Sequence, residues 1–180
     1  MKSKNKENLK LVISKEEIYQ KIKELAQKID EDYKNTPVIF IGTLKGAFIF
    51  LADLVRNIKN PNVQIDFVRV KSYGMSDTSS EEVEITKEFE LPLEGKNVIL
   101  VEDIVDTGIT LKFLYDYIKS FNPKSIKICA LIDKKERRKI KVPIDYVGFE
   151  IEKGFLVGYG LDFAEKFRHL PEINEVVKDE

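Results

Sequence analysis

The residues in this chain best placed to do chemistry are two adjacent carboxylates, Glu102 and Asp103, followed at close range by Asp106, Thr107, Gly108, Ile109 and Thr110. The run Asn97 to Val101 ahead of them is continuously apolar and predicts a strand buried on both faces. The amphipathic stretch behind them, from Thr110 to Phe121, predicts a helix with Leu111, Leu114, Ile118 and Phe121 facing inward. The stretch 106–110 therefore joins a buried strand to a helix start, and it supplies backbone N–H groups, two hydroxyls and a glycine that admits close approach. Unpaired N–H groups and the helix dipole together make such a turn an anion cradle. The acid pair complements it, since strand-end carboxylates accept hydrogen bonds from sugar hydroxyls or hold a hydrated divalent cation such as Mg²⁺. A phosphate cradle four residues from a hydroxyl-binding acid pair has the dimensions of a ribose 5-phosphate.

The elements that must position these groups follow from periodicity. Ser14-Lys15-Glu16-Glu17 carries the capping-box pattern, and Ile18, Ile22, Leu25 and Ile29 recur behind it at helical spacing, up to a stop near Tyr33. Val38 to Ile41 predicts a short buried strand, and 46–58 a helix with Phe48, Leu51, Leu54 and Val55 on one side. Val63 to Phe67 alternates as a strand toward Lys71; the polar stretch 72–82 predicts a loop or a long hairpin tip. Ser125 to Ile132 and Ile144 to Ile151 are two more strands, the latter leading into glycine- and aromatic-rich irregular structure. Strand–helix alternation through the middle argues an α/β fold with a mostly parallel sheet flanked by helices, the chain ends being left to form a cap.

Composition narrows the function classes. Thirty basic side chains face 31 acidic ones, so no global field draws the chain to nucleic acid or to an anionic membrane, and phosphate recognition must be local. The single cysteine, Cys129, lies in an apolar strand and reads as a small buried hydrophobe. The charged start has no apolar signal core, and no stretch approaches the roughly 18 to 20 apolar residues of a membrane helix, so a cytoplasmic protein is expected. A catalytic-triad hydrolase is disfavoured, because the one histidine, His169, sits late in a charged segment with no partnered nucleophile motif.

The string Val101-Glu102-Asp103-Ile104-Val105-Asp106-Thr107-Gly108-Ile109-Thr110 resembles the phosphoribosyl-pyrophosphate signature of type I phosphoribosyltransferases, and specifically the hypoxanthine-guanine branch. The resemblance runs from about Leu9 to Ile173. It implies one type I phosphoribosyltransferase domain over 1–180, with a core of about 36–142 and a small hood from about 9–13 and 143–180. It also implies a loop at Leu44, Lys45 and Gly46 that binds pyrophosphate through a cis Leu44–Lys45 peptide, aided by Arg168. Ser72 and Tyr73 match a mobile lid, and Lys134 the lysine that reaches a purine's exocyclic oxygen. Phe155 matches the ring that stacks on the base, and Leu156 the backbone that hydrogen-bonds its edge. Asp162 joins Glu102 and Asp103 as a Mg²⁺ ligand. Ile109 departs from the pattern, standing where some relatives carry lysine, which predicts weaker charge assistance in the phosphate loop.

The activity implied is purine salvage: transfer of the 5-phosphoribosyl group to hypoxanthine and/or guanine, with Asp106 as general base at N7 and Glu102 and Asp103 positioning the ribose hydroxyls. The implied partners are phosphoribosyl pyrophosphate and a 6-oxopurine, with no nucleic acid and no membrane, in a homodimer or homotetramer. The alternative is a phosphoribosyl-pyrophosphate-binding regulator of nucleic acid, to which the basic run Lys134 to Lys141 would lend itself.

Overall fold

The structure, a computed structural model, describes residues 8–73 and 82–177. Its first helix, α1 (Lys15–Tyr33), starts where the capping box predicts: the Ser14 N–H donates to Glu17 Oε2 at 2.8 Å and the Glu17 N–H to Ser14 Oγ at 3.3 Å. The large sheet is built from β2 (Val38–Leu44), β3 (Val63–Tyr73), β4 (Glu82–Lys87), β5 (Asn97–Val105), β6 (Ser125–Lys134) and β7 (Tyr146–Ile151) in the order β4-β3-β2-β5-β6-β7. All pairs are parallel except the β3–β4 hairpin. Helix α2 (Phe48–Asn57) joins β2 to β3, and α3 (Ile109–Lys119) joins β5 to β6.

Alternate residues of each strand serve opposite faces, which is why these strands read as unbroken apolar runs. Val38, Phe40, Ile99, Val101, Cys129 and Leu131 pack with Ile18, Ile22, Leu25 and Ile29 of α1 and Phe50, Leu51 and Leu54 of α2. Ile39, Ile41, Val98, Leu100, Ile128 and Ala130 pack with Leu111, Leu114 and Ile118 of α3 on the other side. Cys129 is buried among them, and burial pushes its thiol far above the usual range. A second, three-stranded sheet unites the chain ends: β1 (Asn8–Ile13) pairs with β9 (Ile173–Val177), which pairs with β8 (Leu156–Val157), both antiparallel. No helix among the described residues is long and apolar enough to cross a membrane.

The structure departs from the predicted elements in several places. β5 and β6 run on past their apolar stretches to Val105 and Lys134, so Glu102, Asp103, Asp133 and Lys134 lie within strands. The ladder continues because Glu102 still pairs with Ala130 and Val105 with Asp133. β7 completes the large sheet alongside β6, whereas residues from 143 on were expected in the hood. Strand β4 has no sequence counterpart above; it pairs antiparallel with β3, with Tyr73 opposite Glu82, and most of the predicted loop or hairpin tip, 74–81, lies outside the described residues. In α2 the inward stripe is Phe50, Leu51 and Leu54, while Phe48 is 44% exposed. Phe121 is 39% exposed and packs edge-on to Phe89 and Tyr117, with ring centroids 4.9 and 5.1 Å away, beyond the end of α3.

Removing a buried ring leaves a cavity, and removing an exposed one does not. Phe50→Ala is therefore expected to cost about 3–5 kcal/mol and Phe48→Ala less than about 1 kcal/mol, measured by urea unfolding. Equal losses would contradict this assignment of helix faces.

Candidate active site

The chain leaves β2 toward β3 on one side and β5 toward β6 on the other, although β2 and β5 are neighbours. Their carboxyl ends thus flank a topological switch point, where open parallel sheets leave a crevice. From β2 come Thr43 and the Leu44–Lys45 peptide, which is cis. From β5 come Glu102, Asp103 and the turn to α3.

The two elements are fitted to each other closely. Thr43 Oγ1 donates to Glu102 Oε1 at 2.8 Å. A Cβ on Gly46 would lie 1.8 Å from Asp103 Oδ2, so only glycine lets this loop lie against the acid. Glu102 is 6% exposed, and burial, reinforced by the charge of Asp103, pushes its carboxyl up to about 8, against the opposing hydrogen bond of Thr43. Burial likewise lifts Asp103 to about 6, opposed by the N–H groups of Ile104 and Asp103 itself and by the more distant charge of Arg168. Among the described residues neither acid forms an ion pair. Two adjacent oxygen acids, one buried and one half-buried, are a donor set suited to Mg²⁺, which binds one or two carboxylates together with phosphate oxygens.

Beyond the acids the chain encloses a cavity of about 220 Å³ lined by 102–108, Thr110 and Leu111. Gly108, at φ +84°, is the N-cap of α3 and has no side chain to cap it; of the first N–H groups, that of Ile109 donates to Thr107 Oγ1 at 3.3 Å. The loop after β6 braces this turn. Thr107 O accepts from the N–H groups of Lys139 and Ile140 at 2.9 and 3.0 Å. Arg138 donates to the carbonyls of Asp106, Val105 and Lys134 at 2.8, 2.8 and 3.0 Å and also binds the Asp133 carboxylate. The basic run 134–141 is thus partly folded into the site, with Arg138 and Lys134 turned inward.

Lys134 and Asp106 meet across the ends of β6 and β5. The Lys134 side chain is only 7% exposed, and its Nζ lies 3.7 Å from Asp106 Oδ2. Arg137 Nε is 3.6 Å from the same oxygen, while Asp106 Oδ1 is buried with no hydrogen-bond partner. Phe155 precedes β8 with half its surface exposed, held edge-on by Phe163 at a centroid distance of 5.5 Å. Leu156 is buried and paired with Glu175 of β9. Lys134 supplies a donor, Asp106 an acceptor and Phe155 a half-exposed aromatic face.

On the β2 side, Lys45 and Arg168 converge on one carboxylate. Glu165 Oε2 lies 2.7 Å from Lys45 Nζ, and Glu165 Oε1 3.4 Å from Arg168 Nη2. Arg168 also pairs with Asp162 at 2.8 Å and donates to Gly160 O at 2.7 Å, while its buried Nε has no partner. Asp162 does not complete a carboxylate cage with Glu102 and Asp103: the described residues contain no group of three or more His, Cys, Asp or Glu able to hold a metal. Ser72 and Tyr73 end β3, their side chains and the segment 74–81 lying outside the described residues. Thr43, Glu136, Arg137, Arg138 and Glu165 also belong to the site, though the sequence assigns them no role there; Thr43 lies in the loop motif and 136–138 in the basic run, but the contacts that place them in the site are visible only in the fold.

The phosphoribosyl transferase domain model matches residues 13–164. A hypoxanthine-guanine phosphoribosyltransferase of Aquifex aeolicus is 47% identical over 174 residues, covering 96% of this chain and 97% of that protein. That of Bacillus subtilis is 45% identical, covering 91% of each. Among solved structures, a Bacillus anthracis hypoxanthine-guanine phosphoribosyltransferase superposes with a TM-score of 0.89 at 47% identity, over 94% of this chain and 100% of that one. A Trypanosoma cruzi hypoxanthine phosphoribosyltransferase does so with a TM-score of 0.89 at 37% identity, over 98% and 95%. A family match spanning most of the chain, with full-length relatives and a crevice built at the same signature string, establishes that the chain belongs to the phosphoribosyl transferase family.

Proposed function

We propose that this chain transfers the 5-phosphoribosyl group of phosphoribosyl pyrophosphate to hypoxanthine and/or guanine, giving the purine nucleotide and pyrophosphate. The observation that carries the reading is the Lys134–Asp106 pair, an ammonium and a carboxylate 3.7 Å apart at the ends of adjacent strands. A 6-oxopurine presents O6 and N7 side by side on one edge. The ammonium suits O6, and the carboxylate suits the proton that leaves N7 as N9 of the same ring bonds to C1 of the sugar. The half-exposed Phe155 ring supplies a stacking face, and the backbone at Leu156 the opposite edge contact.

The reaction forms a bond from a purine nitrogen to C1 of the ribose and breaks the C1–oxygen bond to pyrophosphate, with inversion through an oxocarbenium-like state. The turn 106–110, with Thr107, Gly108, Ile109 and Thr110, cradles the 5-phosphate through its N–H groups and hydroxyls. Glu102 and Asp103 position the ribose hydroxyls. Lys45 and Arg168 meet the pyrophosphate, whose charge replaces that of Glu165 between them. Glu102 and Asp103 would hold Mg²⁺; Asp162, the third ligand that the resemblance implies, is paired with Arg168 here. Held there, Mg²⁺ would supply charge neutralisation for the departing pyrophosphate. Ser72 and Tyr73 would shield the sugar cation from water, a role carried by the resemblance alone. A homodimer or homotetramer also belongs to this reading.

With two reactants to hold and one proton to remove, Asp106→Asn is expected to slow nucleotide formation by about 10²- to 10⁴-fold with the fold intact. Unchanged turnover in a folded variant would end the general-base assignment. A second expectation concerns Glu102. Its carboxyl is lifted from 4.5 to about 8, so between those values the folded chain holds a proton that the unfolded chain has lost. The stability this group contributes is complete below pH 4.5 and drains away as pH rises toward 8. Glu102→Gln keeps an acceptor for Thr43 and removes the titration. It should exceed the parent in stability at alkaline pH by up to roughly a few kcal/mol, converge with it near pH 5, and lose activity. Melting curves at the two ends of the window test this, and a variant destabilised at alkaline pH would contradict it.

A further inference from the structure

Lys134 is flanked by a second acid. Its Nζ lies 3.3 Å from Glu136 Oε2, closer than the 3.7 Å to Asp106 Oδ2. The same Glu136 oxygen accepts the Gly154 N–H at 3.3 Å, and Gly154 immediately precedes Phe155. The Gly154 N–H, and after it the Lys134 ammonium, hold the Glu136 carboxyl below the usual range.

A lysine is a point charge on a flexible stem, with three donors and no preferred plane, so its direction is set by what anchors it. Were Glu136 absent, Asp106 would be the one carboxylate within 4 Å of Lys134 Nζ among the described residues. The ammonium would then relax onto Asp106, and a tight pair there occupies both the donor meant for O6 and the acceptor meant for N7. Glu136 pulls the other way, and through Gly154 it links the loop after β6 to the segment bearing the stacking ring.

We propose that Glu136 is a positioning residue for base recognition, which keeps Lys134 off Asp106 and fixes the O6 donor, the N7 acceptor and the Phe155 ring as one reader. The inference rests on the reading of Lys134 as the 6-oxopurine donor. Glu136 itself touches no reacting atom. Nearly half its side chain is exposed, so its leverage is that of a partly solvated ion pair.

The test is steady-state kinetics of the full chain with Mg²⁺, phosphoribosyl pyrophosphate and hypoxanthine, for Glu136→Gln, Lys134→Ala and the double variant. Glu136→Gln should raise KM for hypoxanthine roughly two- to five-fold while leaving KM for phosphoribosyl pyrophosphate and the melting temperature unchanged. In the Lys134→Ala background the same substitution should do nothing further, because its effect passes through Lys134. Equal effects in the two backgrounds, or parallel increases in both KM values, overturn the positioning role alone. A Lys134→Ala variant with an unaltered KM for hypoxanthine overturns it together with the base-reading role of Lys134.

Discussion

Two adjacent carboxylates, Glu102 buried and Asp103 half-buried, with no ion pair to either among the described residues, set the terms for the rest of this molecule. In low dielectric such a pair is costly, which is why burial lifts Glu102 to about 8 and Asp103 to about 6. The fold tolerates it because the acids sit inside β5, where neighbouring strands hold the backbone, and because Thr43 and the Ile104 N–H supply hydrogen bonds. The same constraint explains the glycines around it. Gly46 has to be bare for the loop after β2 to lie on Asp103, and at Gly160 a side chain would strike the Gly46 carbonyl at 2.1 Å. A site of this kind is unfavourable alone and favourable once its ligands arrive, as expected where stability has been traded for function.

Binding groups come from separate elements, and one side chain ties two of them together. Arg138 donates to carbonyls at the ends of both β5 and β6 and to the Asp133 carboxylate between them. Its planar fork suits several fixed acceptors at once, which a lysine would not serve equally. The consequence is that the backbone at the ends of β5 and β6, which carries Asp106 and Lys134, is fixed in place, while the phosphate turn is braced through Thr107 O. In the proposed reading, residues at strand ends recognise the base, while Phe155 and Arg168 come from the segment that follows β7.

Much of this was legible in the chain. The continuous apolar strands, the capping box and the linear string 102–110 are local patterns, and each encodes its geometry in consecutive residues. The cis peptide at Leu44–Lys45 followed from resemblance, since nothing in its composition announces it. What escaped is non-local. Thr43 reaching Glu102, Glu136 holding Lys134 and Glu165 bridging Lys45 to Arg168 join residues whose proximity the topology alone creates. Strand ends were underestimated because charged residues interrupt the apolar runs while the ladder continues. Phe48 and Phe121 misled because an apolar residue near a helix end need not share the buried face. Strand β4 was missed because a half-exposed edge strand of alternating charged and aliphatic residues gives a weak signal.

The central claim is that the donor–acceptor pair of Lys134 and Asp106 makes this chain a transferase for 6-oxopurines. The direct measurement is nucleotide formation by the purified chain with Mg²⁺ and phosphoribosyl pyrophosphate, given in turn hypoxanthine, guanine, xanthine and adenine. Turnover of hypoxanthine or guanine with adenine refused is the result this account predicts. Turnover of adenine at a comparable rate, or none with any base while phosphoribosyl pyrophosphate still binds, would contradict it.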